Sequence, residues 1–155
     1  MKLLLALLTL NIMSLASYQE SNLKSICFGG GCFWCVEAVF EDVKGVIDVT
    51  SGYSGGDLES PSYSQVISGQ TKHAEVCKIT YDRRKINLKD LLEIFFLTHD
   101  PTSLNRQGND IGFHYRSIIL FNNKQEEKII SDHMQEANQD LYENKIVTEV
   151  KKWRS

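Results

Sequence analysis

The sequence predicts an α/β (α+β) layer fold for this 155-residue chain. Three observations carry that expectation. Runs rich in β-branched residues alternate with segments of helical apolar period. Glycine-rich turns separate them. Length and balance suit one core, with 42% hydrophobic and 24% charged residues. A formal net charge of -3 leaves no electrostatic footprint for nucleic acid.

In chain order, Ser25–Phe28 reads as a short strand running into Gly29-Gly30-Gly31, which demands a tight turn. A helix follows, because Val36, Val39, Phe40 and Val43 recur at i, i+3, i+4 and i+7, and Gly45 stops it. Val46–Tyr53 is a β-branched strand entering the Gly55-Gly56 turn, and Ala74–Tyr81 is a second strand. Asn87, with Asp90 three residues on, marks a helix start whose buried face is Leu88, Leu91, Leu92, Phe95 and Phe96. Residues 98–114 form a polar loop too long to be a mere connector, which points to function. Ser117–Phe121 is a strand. Asn123 with Glu126 opens a long helix along Ile130, Met134, Ala137 and Leu141, and a last strand is expected over Ile146–Val150.

The N-terminus has a separate purpose. Lys2 precedes the apolar run Leu3–Leu10, and the small residues Ser14, Ala16 and Ser17 follow, the layout of a secretory signal peptide cleaved near Ala16 or Ser17. The run is too short for a membrane-spanning helix, which takes about 20 residues. The expected organisation is therefore a signal peptide over 1–16, a polar lead-in over 17–24 and one domain over 25–155, acting as a monomer without stable membrane insertion. This predicts a secreted, periplasmic or secretory-lumen location.

Four cysteines, Cys27, Cys32, Cys35 and Cys77, carry the candidate chemistry. Cys32 follows the glycine turn and opens a helix, whose free N–H groups and dipole favour a thiolate. Cys35 lies one turn on, placed to close a sulfenic acid on Cys32 into a disulfide. Cys-x-x-Cys alone also admits other readings. Structural zinc would want two spaced pairs, and there is one. Disulfide exchange would use the same two thiols, and Cys27 and Cys77 read as small buried hydrophobes. Between the two helical cysteines, Phe33 and Trp34 are either core or an apolar cage for a methyl or thioether group. Glu75 shares a strand face with Cys77, Ile79 and Tyr81. It is either a desolvated acid able to donate a proton near neutral pH or a strand-end residue reaching solvent.

The stretch Gly31-Cys32-Phe33-Trp34 with Glu37 resembles the A class of peptide methionine-(S)-sulfoxide reductases. The likeness continues in Gly52-Tyr53-Ser54-Gly55-Gly56, Pro61-Ser62-Tyr63, His73-Ala74-Glu75-Val76 and Tyr81-Asp82. Its longest block runs from His99 through Gly112, followed by Tyr115-Arg116-Ser117. The resemblance spans about residues 25–150. It implies a two-layer, ferredoxin-like sandwich with a mixed sheet, and a set of roles. Cys32 attacks the sulfoxide sulfur, Phe33 and Trp34 hold the methyl group, and Glu75 protonates the oxygen. Tyr63 and Tyr115 hydrogen-bond that oxygen, and Asp110 orients the substrate. It further implies that Cys35 resolves the sulfenic acid and that an external thiol such as thioredoxin or dithiothreitol regenerates the enzyme, with no metal or other cofactor. Substrates would be methionine sulfoxide, free or in proteins. Three departures from the family pattern stand out. Cys35 takes a place where many members have glycine, and Phe113-His114 stands where a Thr-Gln pair is expected. The chain ends at Trp153-Arg154-Ser155, before the C-terminal tail that members usually carry.

Overall fold

A computed structural model describes residues 22–153. The leader expected over 1–16 lies outside the described residues. The elements are β1 (Leu23–Gly29), α1 (Phe33–Glu41), β2 (Val46–Ser54), α2 (Tyr63–Ile67), β3 (Ala74–Asp82), α3 (Leu88–Thr98), β4 (Arg106–Gln107), β5 (Asp110–Ile111), β6 (Ile118–Phe121), α4 (Lys124–Asp140) and β7 (Glu149–Lys152). A single 3₁₀ turn over Phe113–Tyr115 precedes β6.

The main sheet has the order β2-β3-β1-β6-β7. Each adjacent pair among its first four strands is antiparallel, and β7 joins β6 in parallel, so the sheet is mixed. The β1-α1-β2-β3-α3-β6 path is the ferredoxin-like split βαβ arrangement with one added edge strand. Period-two alternation sorts the strand side chains into two sets. Ile26, Phe28, Cys77, Ile79, Tyr81, Ile119 and Phe121 face the helices and pack with Val36, Phe40, Leu91, Phe95 and Ile130. Cys27, Ala74, Val76, Ile118 and Leu120 form a smaller cluster against Trp153 on the other face. β6 reads as the unbroken apolar run IILF because both its faces are covered, whereas β3 keeps Lys78 exposed on the face away from the helices.

Local signals fix the helices that position the site. Asn87 accepts from the Asp90 N–H at 3.1 Å and Asp90 returns the bond to the Asn87 N–H, a closed capping box. Asn123 caps α4 through the Glu126 N–H at 3.0 Å. The α1 helix is anchored by Phe40, whose ring lies 5.5 Å from that of Phe28. Truncating either ring to alanine costs roughly 3–5 kcal/mol by the usual cost of emptying an aromatic core position.

Three expectations shift. β1 starts at Leu23, inside the segment expected to be a loose lead-in, because Leu23 and Lys24 pair with Asp82 and Tyr81. The last strand begins at Glu149 rather than Ile146. The Ile146 N–H is taken by the Asn138 side chain and the Val147 N–H by the Pro101 carbonyl, so neither can join the ladder. The long loop over 98–114 holds the β4–β5 hairpin and the 3₁₀ turn.

Candidate active site

The nucleophile turn is built by close approach of backbones. At the end of β1 a side chain on Gly29 would sit 2.6 Å from the Glu75 carbonyl, so only glycine fits. Gly31 has φ +99, a left-handed conformation that glycine adopts without strain, and a side chain there would come within 2.7 Å of Gln107 of β4. The turn delivers Cys32 as the N-cap of α1, where its carbonyl accepts from the Cys35 N–H at 3.0 Å and the Val36 N–H at 3.3 Å. Cys32 is half-buried and Cys35 exposed, and both are free thiols. Burial raises the Cys35 thiol above its ordinary value, and the charge of the Cys32 sulfur and a hydrogen bond to it add to the rise. Both thiols thus belong to the start of α1, close enough for the charge on one to act on the other.

Glu75 is 4% exposed. Of its two sequence readings, the buried one holds. One carboxylate oxygen accepts from the Phe33 N–H at 3.0 Å. Desolvation lifts the carboxyl above the usual carboxylate range, the Phe33 N–H opposes the rise, and the charge of Asp110 adds to it. A carboxyl so placed holds its proton at a higher pH than a surface glutamate and can give it to a group bound over Cys32.

Tyr115 gathers the remaining predicted residues. Its hydroxyl is raised by burial and then by the charges of Glu75, Asp110, Tyr63 and Cys32, which lie within electrostatic reach of it. Tyr63 comes from α2 and Asp110 from the β4–β5 hairpin, so the groups that act on the Tyr115 hydroxyl come from separate segments of the chain. Phe33 is partly buried in the core, and the Trp34 ring, 5.7 Å from it, is 70% exposed. Trp34 is thus no core residue. It stands exposed to solvent beside Phe33.

Two contributors were assigned no part by the sequence. Tyr53 lies directly across the ladder from Glu75, with its ring 5.7 Å from Phe33. Burial raises its hydroxyl, and Glu75 and Tyr63 raise it further, so it faces the same space. The register of the β2–β3 hairpin was the signal available. The Gln107 amide accepts from the Asp100 N–H at 3.1 Å and donates to the Asp100 carbonyl at 3.2 Å, tying the hairpin that bears Asp110 to the end of α3. The α2 helix was also overlooked, although Ser62 and Gln65 form its capping box. At the departure from the family pattern, His114 is buried with its ring 4.0 Å from that of Tyr115, and Phe113 lies over the Arg116 guanidinium at the same distance. Among the described residues, no group of three or more His, Cys, Asp or Glu side chains is placed to hold a metal ion.

An accessible Cys-x-x-Cys at a helix N-terminus, with a buried acid bonded to the same turn and aromatic rings beside it, has the make-up of a thiol oxidoreductase. Comparison with known proteins narrows the class. The profile described as peptide methionine sulfoxide reductase matches residues 24–155. The chain is 50% identical over 129 residues to the peptide methionine sulfoxide reductase MsrA of Trichodesmium erythraeum, covering 83% of this chain and 73% of that protein. Among solved structures it is similar to reduced Mxr1 of Saccharomyces cerevisiae, with TM-score 0.82 and 31% identity over 87% of this chain and 78% of that one. It is also similar to methionine sulfoxide reductase A of Corynebacterium diphtheriae, with TM-score 0.80 and 29% identity over 84% of this chain, and spans 65% of that structure's chain. The chain belongs to the peptide methionine sulfoxide reductase family and is an oxidoreductase of the MsrA type.

Proposed function

We propose that this chain reduces the S epimer of methionine sulfoxide, free and in proteins, through Cys32, with Cys35 resolving and a thioredoxin-like dithiol as final reductant. The observation that carries the reading is the pairing of Cys32, at the head of α1, with Glu75, buried and bonded to the next residue of the same turn.

In the first step the Cys32 thiolate attacks the sulfoxide sulfur. Glu75 gives its proton to the oxygen, and the hydroxyls of Tyr63 and Tyr115 hold that oxygen as charge builds on it. The substrate methyl rests between Phe33 and Trp34, where sulfur and methyl groups pack well on rings. Asp110 orients the substrate from the hairpin side. The oxygen ends on Cys32 as a sulfenic acid and methionine leaves. The methionine sulfur gains two electrons and the Cys32 sulfur loses two. The Cys35 thiol then attacks the Cys32 sulfur, water departs and a disulfide forms. A dithiol reductant exchanges with that disulfide and returns both thiols. The exposure of Cys35 supports access for such a partner.

Each sulfoxide epimer is served by its own enzyme class. A peptide carrying each epimer separately, assayed with dithiothreitol, should give methionine from the S form alone. Equal rates on both would overturn the assignment. We further propose that residues 1–16 are an export leader, supported by Lys2, the Leu3–Leu10 run and the small residues up to Ser17. The secreted form should begin at or beside Ser17, and a mature protein that keeps Met1 would refute it.

A further inference from the structure

Cys77 takes no part in the reaction proposed above, yet it lies directly under the nucleophile turn. It follows Glu75 by two residues in β3, so the two side chains leave the sheet on the same face. Glu75 accepts from the Phe33 N–H at 3.0 Å, and the Cys77 thiol donates to the Phe33 carbonyl at 3.1 Å. One residue of α1 is therefore held at both ends of its backbone by neighbouring positions of one strand. The Glu37 backbone also bonds the Cys77 sulfur, so the thiol touches both residues of the Phe33–Glu37 i,i+4 step in the first turns of α1. Ser51 of β2 completes the set. Its hydroxyl lies 3.5 Å from the Cys77 sulfur and donates to the Glu37 carboxylate at 2.8 Å.

We propose that Cys77 is a positioning residue for sulfoxide reduction, clamping the Phe33 peptide so that Cys32, the cage and the Glu75 proton keep their mutual geometry. The inference rests on Cys32 as nucleophile and Glu75 as acid. Three properties suit Cys77 to the task. It is fully buried, so water does not compete for the Phe33 carbonyl. Burial pushes its thiol up to about 11, so the donated proton stays on sulfur throughout the neutral range. Its bond to Phe33 also governs Glu75 indirectly, since the Phe33 N–H is what opposes the rise of the Glu75 carboxyl.

The test compares Cys77→Val, which fills the space without a donor, with Cys77→Ser, which restores one. Each is assayed for kcat/KM on an S-sulfoxide peptide across pH with dithiothreitol, and melted in parallel. The clamp predicts that Cys77→Val loses about tenfold in kcat/KM, in keeping with the steep cost of small misplacements at a reacting centre. It also predicts that the alkaline limb moves to higher pH, because Glu75 loses a bond that favours its charged form. Cys77→Ser should recover to within about threefold, with the limb near its native position, as expected when a donor of similar reach is restored. Should Cys77→Val fail to fold, Cys77→Ala carries the same expectation. Native kinetics in the donor-free variant, or an equal loss in both variants with an unmoved limb, would show that Cys77 only fills space. Turnover surviving in Cys32→Ser, measured alongside, would instead sink the underlying reading of the site.

Discussion

The four cysteines divide into two pairs that differ only in where the backbone puts them. Cys32 and Cys35 lie at the open N-terminus of α1, one half-buried and the other exposed. Cys27 and Cys77 lie on opposite faces of the central strands, 1% and 0% exposed. Desolvation pushes Cys27 up to about 12, with Lys78 opposing and Cys77 adding, and pushes Cys77 up to about 11. Thiolates are the nucleophiles, so the strand pair is inert in the neutral range while the helix pair can react. Reactivity here follows from the surroundings of the sulfur, which the fold assigns through strand alternation and one glycine turn.

The contrast breaks most sharply at Cys32. Cys32→Ser should abolish sulfoxide reduction, because a hydroxyl is a far weaker nucleophile than a thiolate. Activity persisting in that variant, read as methionine released, would make the helix pair no different from the strand pair. Glu75→Gln comes next. It keeps a group able to accept from the Phe33 N–H but has no acid proton, so the rate should fall by about 10²–10⁴, the usual worth of general acid catalysis. The sign of the pH dependence follows from the same carboxyl. Burial raises it, the acid form is the competent one, and activity is lost as pH climbs through that raised value. Glu75→Gln should abolish that alkaline limb, and a limb retained there would assign it to another group.

Cys35→Ser has a smaller effect and separates the members of the reactive pair. One equivalent of methionine should still appear in a burst, because the proposed first step uses Cys32 and not Cys35. Thioredoxin-driven cycling should then drop sharply for want of an intramolecular disulfide. Quench-flow counting of product, with disulfide mapping after one turnover of the native enzyme, checks both parts. A bridge from Cys32 to Cys27 or Cys77, with normal cycling in Cys35→Ser, would name a different resolving thiol.

Elements governed by neighbouring residues were legible in the sequence, and those governed by distant ones were not. The Asn87–Asp90 and Asn123–Glu126 starts are local hydrogen-bond signals, and each caps the helix expected of it. The strand alternation that put Glu75 beside Cys77 also holds, since period two needs no tertiary knowledge. Whether that end of β3 opens to water was not legible, because its cover comes from α1, 42 residues away along the chain. Long-range pairing likewise hides Tyr53, which meets Glu75 only through the β2–β3 register, and the clamp on the Phe33 peptide. The shifted start of β7 has a similar cause, with side-chain and loop partners claiming the amides of Ile146 and Val147. The α2 helix differs, since Ser62 and Gln65 are a local signal that went unread.

The smallest expected effect concerns Cys27, and it tests the inert side of the comparison. Cys27 pairs with Lys78 and Leu120 across its two neighbouring strands and packs with Val76 and Ile118 on the face away from the helices. That cluster meets the Cys32 turn at Gly29, which lies against Val76 and Ile118, but it holds none of the residues given a part in the proposed reaction. Cys27→Ala removes one buried sulfur from a packed layer. It should cost roughly 1–2 kcal/mol, at the lower end for emptied core positions. For a domain of this size that is a fall in melting temperature of about 3–8 °C. Sulfoxide reduction with dithiothreitol at 25 °C should stay at the native rate, because the fold remains overwhelmingly populated. The native protein offered a thiol reagent at neutral pH should meanwhile be labelled at Cys35 and Cys32 and spared at Cys27 until it unfolds, since both burial and the retained proton protect the sulfur. Peptide mapping after labelling reads this directly. Rapid labelling of Cys27 in the folded enzyme, or a large loss of turnover in Cys27→Ala without a matching loss of stability, would mean that β1 opens during the reaction and that the two pairs are not independent.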